Sequence, residues 1–419
     1  MHRNPTLSLV ATAALVALAL FFIGRHFCHR STDFIVYHLA AKSFLAGRTD
    51  LYSETFALGP PMQYVYQPLF LLMVLPLGWL PFADAFGIWF ATLALATGHL
   101  LRLAYREWRP LRAGNYWLIV LTIAAVPVLY ALRTGNAHLL VVLLTLAGIV
   151  AWSRKRIWAA SLLLALAGAI KVFPLLLFPF FVVRREWKLA LRLVLFSCVF
   201  WALPMVYFGP RQTVALYQSW YDTVARDVQG FERLHQLDYS LAGTTRRWLS
   251  HVDYPQFRDK DYPQANWLDL PPRAVRAMAR VLQGLVLGFS LLLVGLWREP
   301  RAEEPVGGVS WNHLAIATTA SLFVTSQLLV GPYTIFLYLS AWLILALTLP
   351  VVVQHCAPRL NHWLLAIGVA NFLILAIPGR SNRRALEAYG AFSVLGIGLW
   401  LISMIAGWKV LQATRFRKD

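Results

Sequence analysis

With 59% hydrophobic and 14% charged residues among 419, the chain cannot be a soluble globule, whose charged share is about 25%, or a disordered chain, which needs low hydrophobicity. Three cysteines, Cys28, Cys198 and Cys356, staple too little of so long a chain for a disulfide scaffold. The net charge of +19, from 38 Lys+Arg and 19 Asp+Glu, does not point to nucleic acid, because the cations fall mainly in short loops between apolar runs, where they fix membrane topology.

The first apolar run, Leu7 to Gly24, lacks a small-residue cleavage site before Arg25 and reads as a retained span. In the polar stretch 25–67, Thr32-Asp33 precedes Phe34, Tyr37, Ala41, Phe44 and Leu45. That spacing predicts an amphipathic helix stopped by Gly47 and lying flat on the outer membrane surface. Leu69 to Leu80 is short and set among Pro68, Pro76 and Pro81, so it reads as re-entrant or interfacial; a crossing there would invert everything after it. Further spans are predicted near 84–104, 115–133, 137–152, 157–183, 188–208, 279–297, 311–329, 333–353, 362–378 and 389–411. The run 157–183 would measure about 40 Å as one helix, so it is either one tilted helix or two half-helices turning near Lys171 and Pro174.

Short basic loops, Arg102 to Arg112, Ser153 to Arg156 and Arg184 to Lys188, and the tail Arg415 to Lys418 are assigned to the cytoplasmic side, leaving 25–67 and 209–278 outside. The stretch 209–278 is rich in Trp, Tyr and Pro, which suits a lid, a sugar-stacking surface or an interfacial aromatic belt. The chain thus reads as an all-α polytopic integral membrane protein of about 10–13 transmembrane or re-entrant helices. Its expected parts are an N-terminal membrane module (1–208), an external loop (209–278) and a C-terminal module (279–419).

Two charged residues stand out chemically. Asp33 opens a helix at the outer interface, where it serves either as an N-cap or as a general base taking a proton from a hydroxyl nucleophile. Lys171 lies within an apolar run, too far from either basic loop to snorkel back, so it either binds an anion such as phosphate or pairs with a carboxylate or carbonyl. Gly135-Asn136-Ala137-His138 is a polar turn whose amide can bond a hydroxyl, although a turn alone also explains Gly-Asn. Arg246 and Arg247 can help hold an anion or simply be solvated. His26, Cys28 and His29 match no standard zinc spacing. No phosphate-cradling glycine loop, nucleophile elbow or HExxH occurs, which excludes a soluble-type nucleotidase, serine hydrolase or zinc protease. No metal or cofactor is expected.

The stretch from Asp33 to Ala41, with Gly47, Leu51-Tyr52, Tyr64-Val65-Tyr66-Gln67-Pro68-Leu69, Pro76-Leu77 and Leu80-Pro81, resembles the opening of glycosyltransferase family 87. Gly135-Asn136 with Leu139-Leu140, Lys171-Val172-Phe173-Pro174 and Ser240-Leu241-Ala242-Gly243 are similar to further elements of that family. The resemblance implies a GT-C-like membrane enzyme of the cell inner (cytoplasmic) membrane. It would move a hexose, mannose in related enzymes, from a polyprenyl-phosphate-sugar donor to a lipid or glycan acceptor, with membrane lipids as neighbours and no nucleic acid. It further implies Asp33 as the catalytic residue, Lys171 and Arg246 on the donor phosphate, and Tyr37, Tyr66, Asn136, His138 and Ser240 on substrate. The family's Tyr-Pro-Pro-Leu is Tyr66-Gln67-Pro68-Leu69 here, and its Ser-Pro-x-x-Trp-x-His is Val330-Gly331-Pro332-Tyr333-Thr334, without the histidine. Rival classes are a lipid-linked sugar transporter or flippase and a non-catalytic assembly protein; the latter has no need of Asp33 and Lys171 in one cavity.

Overall fold

The structure, a computed structural model, describes residues 5–52, 55–56, 62–108, 115–231, 238–252, 263–297, 311–331, 336–376 and 380–415. These are mainly helical, with one two-residue antiparallel pairing of Thr55–Phe56 and Met62–Gln63. Helix α1 (Pro5–Phe27) is followed by α2 (Phe34–Leu45), α3 (Pro68–Gly78) and α4 (Phe82–Trp108). A π-helical turn at Leu121–Ala125 joins α5 (Tyr116–Val120) to α6 (Val126–Thr134), and α7 (Ala137–Ser153) and α8 (Ile157–Ile170) come next. A 3-10 turn, Phe173–Leu176, leads to α9 (Leu177–Val183), α10 (Trp187–Ala202), α11 (Pro204–Phe208), α12 (Pro210–Phe231) and α13 (Leu241–Leu249). The remainder comprises α14 (Pro272–Gly295), α15 (Trp311–Val330), α16 (Trp342–Cys356), α17 (Asn361–Ala376), α18 (Arg380–Ala388) and α19 (Ala391–Arg415).

Among the described residues, eight helical stretches are long and apolar enough to cross a membrane: Thr12–Arg30, Phe82–Trp108, Tyr116–Thr134, Trp187–Phe208, Pro272–Gly295, Trp311–Val330, Tyr338–Cys356 and Ala391–Gln412. With the shorter apolar helices α7, α8 and α17 they make an all-α polytopic membrane protein. Leu191, Val199 and Val206 on the α10–α11 stretch are exposed, as befits side chains whose solvent is hydrocarbon. Inside, one continuous apolar cluster runs from Phe34 to Leu411.

Two groups of polar contacts mark the two ends of the bundle. At one end Glu107, closing α4, accepts from Ser153 Oγ at 2.6 Å, pairs with Arg154 Nε at 2.7 Å and meets His313 Nε2 at 3.0 Å. Trp152 there donates to Glu186 Oε1 at 3.3 Å. The opposite end gathers the start of α2, the α6–α7 turn and the α8–α9 break. Gln67, just before α3, donates through Nε2 to Gly168 O at 3.2 Å, and Leu80, just after it, has its carbonyl 3.0 Å from His38 Nε2. Both ends of α3 therefore lie at this second end of the bundle. At 11 residues the helix is also too short to cross a bilayer.

The run 157–183 is two half-helices. A helix continuing from α8 would drive the Pro174 ring against the Ile170 carbonyl and find no N–H to bond it. The chain breaks instead at Lys171, which is extended at φ −149°, ψ 129°. Helix α8 rises from the Glu107 end and α9 returns to it, where Arg184 lies 5.2 Å from the Trp152 ring. The π turn has a similar cause. Pro127 cannot donate to the carbonyls one turn back, and Asn371 Nδ2 from α17 supplies both bonds, to Thr122 O at 3.0 Å and to Ile123 O at 3.2 Å. Helix α17 can come this close because residue 368 is glycine; a Cβ there would lie 2.5 Å from Thr122 Oγ1.

One expectation is corrected. Helix α2 does not keep one apolar face for lipid. Phe34, Val36, Tyr37, His38, Ala40, Ala41 and Ser43, which cover more than one face, are all buried. The protein itself, chiefly α3 and the aromatic residues of α4, encloses the helix, with Phe82, Phe86 and Trp89 all within 6.0 Å of the Phe34 ring.

Candidate functional site

Asp33 occupies the N-cap position of α2, yet its own backbone is αR (φ −88°, ψ −43°) and its side chain makes no cap hydrogen bond. The carboxylate is turned toward the α6–α7 turn instead. Its backbone N–H donates to Thr134 O at 3.1 Å, and Asn136 Nδ2 donates to its Oδ1 at 3.0 Å. The Asn136 amide has its direction fixed: Oδ1 caps α7 by accepting from His138 N at 2.7 Å, which leaves the NH2 end for Asp33. Gly135 makes the turn possible, with φ +70° and no room for a side chain; a Cβ would lie 2.6 Å from Phe34 Cβ. Its carbonyl is held by Trp89 Nε1 at 2.9 Å.

Burial pushes the Asp33 carboxyl above the usual range for an aspartate, against hydrogen bonds from Thr134, Asn136 and Thr32 and the nearby Lys171 ammonium, which pull the other way. The net direction is upward, toward the neutral range in which a general base works best. Asp33 and Lys171 thus interact electrostatically at one end of the bundle. Lys171, at the break after α8, places its Nζ 3.7 Å from the Tyr338 ring centroid and 5.8 Å from that of Tyr66.

Tyr37 lies one helical turn beyond Asp33 on α2. Its hydroxyl accepts from Ala137 N at 3.2 Å and shares a hydrogen bond with the Tyr66 hydroxyl at 2.9 Å. Because Tyr37 already accepts one bond, its proton can go to Tyr66, and the Tyr66 O–H is then free to donate to a ligand. His138 is fully buried, with its ring 4.8 Å from both Phe173 and Tyr338. Above the site, α12 closes over the 25–67 segment: Trp220 Nε1 donates to Val65 O at 3.1 Å and Thr223 Oγ1 to Tyr52 O at 3.4 Å.

The structure therefore brings together Asp33, Tyr37, Tyr66, Asn136, His138 and Lys171. Ser240 and Arg246 belong to α13, Ser240 as its N-cap residue. Ser240 is buried and caps α13, accepting from Gly243 N at 3.2 Å and donating to Asp238 Oδ2 at 3.0 Å. Its neighbours Tyr239, Thr244 and Arg247 bond to Glu387, Ser393 and the Ala388 carbonyl. Arg246 lies in the last turn of α13, where its carbonyl accepts from Ser250 Oγ at 2.9 Å. The Ser240 hydroxyl thus bonds within its own segment, while these neighbours tie α13 to α18 and α19. Of the divergent element at 330–334, Pro332-Tyr333-Thr334 lies outside the described residues. Among those described, no three His, Cys, Asp or Glu residues group as a metal site would require.

Sequence reasoning missed Thr134 and Tyr338. Thr134 directly precedes the Gly-Asn turn, a usable signal. Tyr338 reaches Lys171 only through tertiary packing.

The pattern of glycosyltransferase family 87 matches residues 64–310, a range that holds Tyr66, Asn136, His138, Lys171, Ser240 and Arg246; Asp33 and Tyr37 precede it. The polyprenol-phosphate-mannose-dependent alpha-(1-2)-phosphatidylinositol mannoside mannosyltransferase of Mycobacterium tuberculosis (strain ATCC 25618 / H37Rv) is 28% identical over 176 residues, which cover 38% of this chain and 41% of that protein. The chain thus spans less than half the length of this curated relative. No solved structure matches.

Proposed function

Because the chain belongs to glycosyltransferase family 87, we propose that it is a membrane hexosyltransferase using a polyprenyl-phosphate sugar, with mannose as the sugar, at the outer face of the cytoplasmic membrane. The donor enters sideways from lipid, its phosphate meeting Lys171. Asp33 takes the proton from an acceptor hydroxyl as that oxygen bonds to the anomeric carbon, and the bond from that carbon to the phosphate oxygen breaks on the opposite face. Configuration inverts, and the polyprenyl phosphate leaves with the bonding electrons and an added negative charge. Lys171 is already in place to neutralise that charge, and the membrane-bound tail confines the donor near the base. A lipid or a glycan serves as acceptor.

One observation carries this reading. The Asp33 carboxylate is released from capping its own helix, oriented by Asn136 and held within electrostatic reach of a lysine in a broken helix. The name of the mycobacterial relative supports the donor class.

The test is to incubate the purified protein in lipid nanodiscs with radiolabelled polyprenyl-phosphate-mannose and a membrane extract, then to identify the labelled product and its anomeric configuration. Transfer with inversion is expected. Donor label that stays on polyprenyl phosphate, or moves across a vesicle bilayer without transfer, would overturn the reading.

A further inference from the structure

Lys171 stands on an extended residue between two helices, within electrostatic range of the Asp33 carboxylate. A lysine in that position tends to collapse onto the acid, which would spend both the base and the phosphate ligand in one ion pair. Among the described residues no ion pair joins Lys171 to Asp33. The ammonium lies instead 3.7 Å from the centroid of the Tyr338 ring. That ring is braced in turn. It lies 4.8 Å from His138, His138 lies 4.8 Å from Phe173, and Phe173 stacks at 13° on Phe323 of α15. The row of rings ties the cation to a buried membrane helix.

We propose that Tyr338 is a positioning residue that holds the Lys171 ammonium on its ring face, away from Asp33 and open to a donor phosphate. A ring quadrupole attracts the positive charge without presenting an acceptor as strong as a carboxylate or phosphate. The ammonium N–H groups therefore remain available for the phosphate, and the carboxylate remains available for a proton. The inference rests on the reading of Lys171 as the donor-phosphate ligand.

The test uses full-length enzyme in nanodiscs, with donor and acceptor kinetics measured separately and melting temperature beside them. Tyr338→Phe keeps the ring face and should leave the donor KM within about twofold. Tyr338→Leu removes it and should lower donor kcat/KM by roughly three- to thirtyfold, with acceptor KM unchanged. Phenylalanines carrying one, two and three ring fluorines at position 338 alter the quadrupole with little change of size, and should weaken donor use stepwise. In a Lys171→Met background Tyr338→Leu should add nothing. A flat fluorine series, or a Tyr338→Leu effect that adds in full to Lys171→Met, would overturn the proposal even where Lys171→Met itself impairs donor use. If Lys171→Met leaves donor kinetics unchanged, the reading of Lys171 fails and this inference fails with it.

Discussion

Asp33 combines two features that an ordinary helix cap lacks: a carboxylate that caps nothing and an acidity weakened by burial. In the proposed mechanism the ionised form is the base, so kcat/KM should rise with pH along an acid limb that lies above the usual aspartate range. Asn136 donates to Asp33 and thereby holds its pKa down. Asn136→Ala should therefore move that limb to higher pH; a limb that stays put or moves down would separate it from Asp33. The same upward shift bears on stability. A carboxyl whose folded pKa exceeds its unfolded pKa is least costly to the fold when protonated, and it costs the fold stability as pH rises through the interval between the two. Asp33→Asn should then keep or raise the melting temperature at neutral pH. Lys171→Met should weaken donor use by at least about tenfold, or about 1.4 kcal/mol, through loss of a charge-assisted bond to phosphate, and should leave acceptor KM largely unchanged.

At the scale of elements, the π turn and the α8–α9 break trace to single prolines; Asn371 bonds the carbonyls of the first, and Gln67 bonds the Gly168 carbonyl ahead of the second. Asn371→Leu removes the donor for the Thr122 and Ile123 carbonyls. In lipid no water replaces it, so a loss of about 1–3 kcal/mol is expected in unfolding measurements; no loss would mean the turn is satisfied another way. The break at Lys171 was legible only as one of two alternatives, because a run of that length with Pro174 inside it suits a tilted, kinked helix as well as two half-helices. The interfacial α3 was legible because a dozen residues among prolines cannot span. The enclosure of α2 was not, since the apolar spacing that suits a lipid face suits a protein neighbour equally well. Nor was the Asp33–Asn136 bond, which joins residues 103 apart that only the packing of α2 against the α6–α7 turn brings together. The short motif at Ser240 likewise did not show that its hydroxyl bonds Asp238 and caps α13.

Over the described residues, Glu107, Arg154, Glu186 and His313 group at one end of the bundle and the Asp33–Lys171 group lies at the other. If the basic loops mark the cytoplasm, the site faces outward. In a cysteine-free background, a cysteine at exposed Tyr221 should react with an impermeant maleimide in intact cells, and one at exposed Lys155 only after permeabilisation. The reverse pattern would place the site inside. A glycosyl-transfer base at this outward end is put to the test by Asp33→Asn in the radiolabelled transfer assay, with melting temperature measured on the same preparation. The variant should fold while its transfer rate falls by about 10²–10⁴-fold, because an amide cannot accept the proton. A well-folded Asp33→Asn enzyme that retains activity within about threefold of the wild type, well short of that range, would contradict that role.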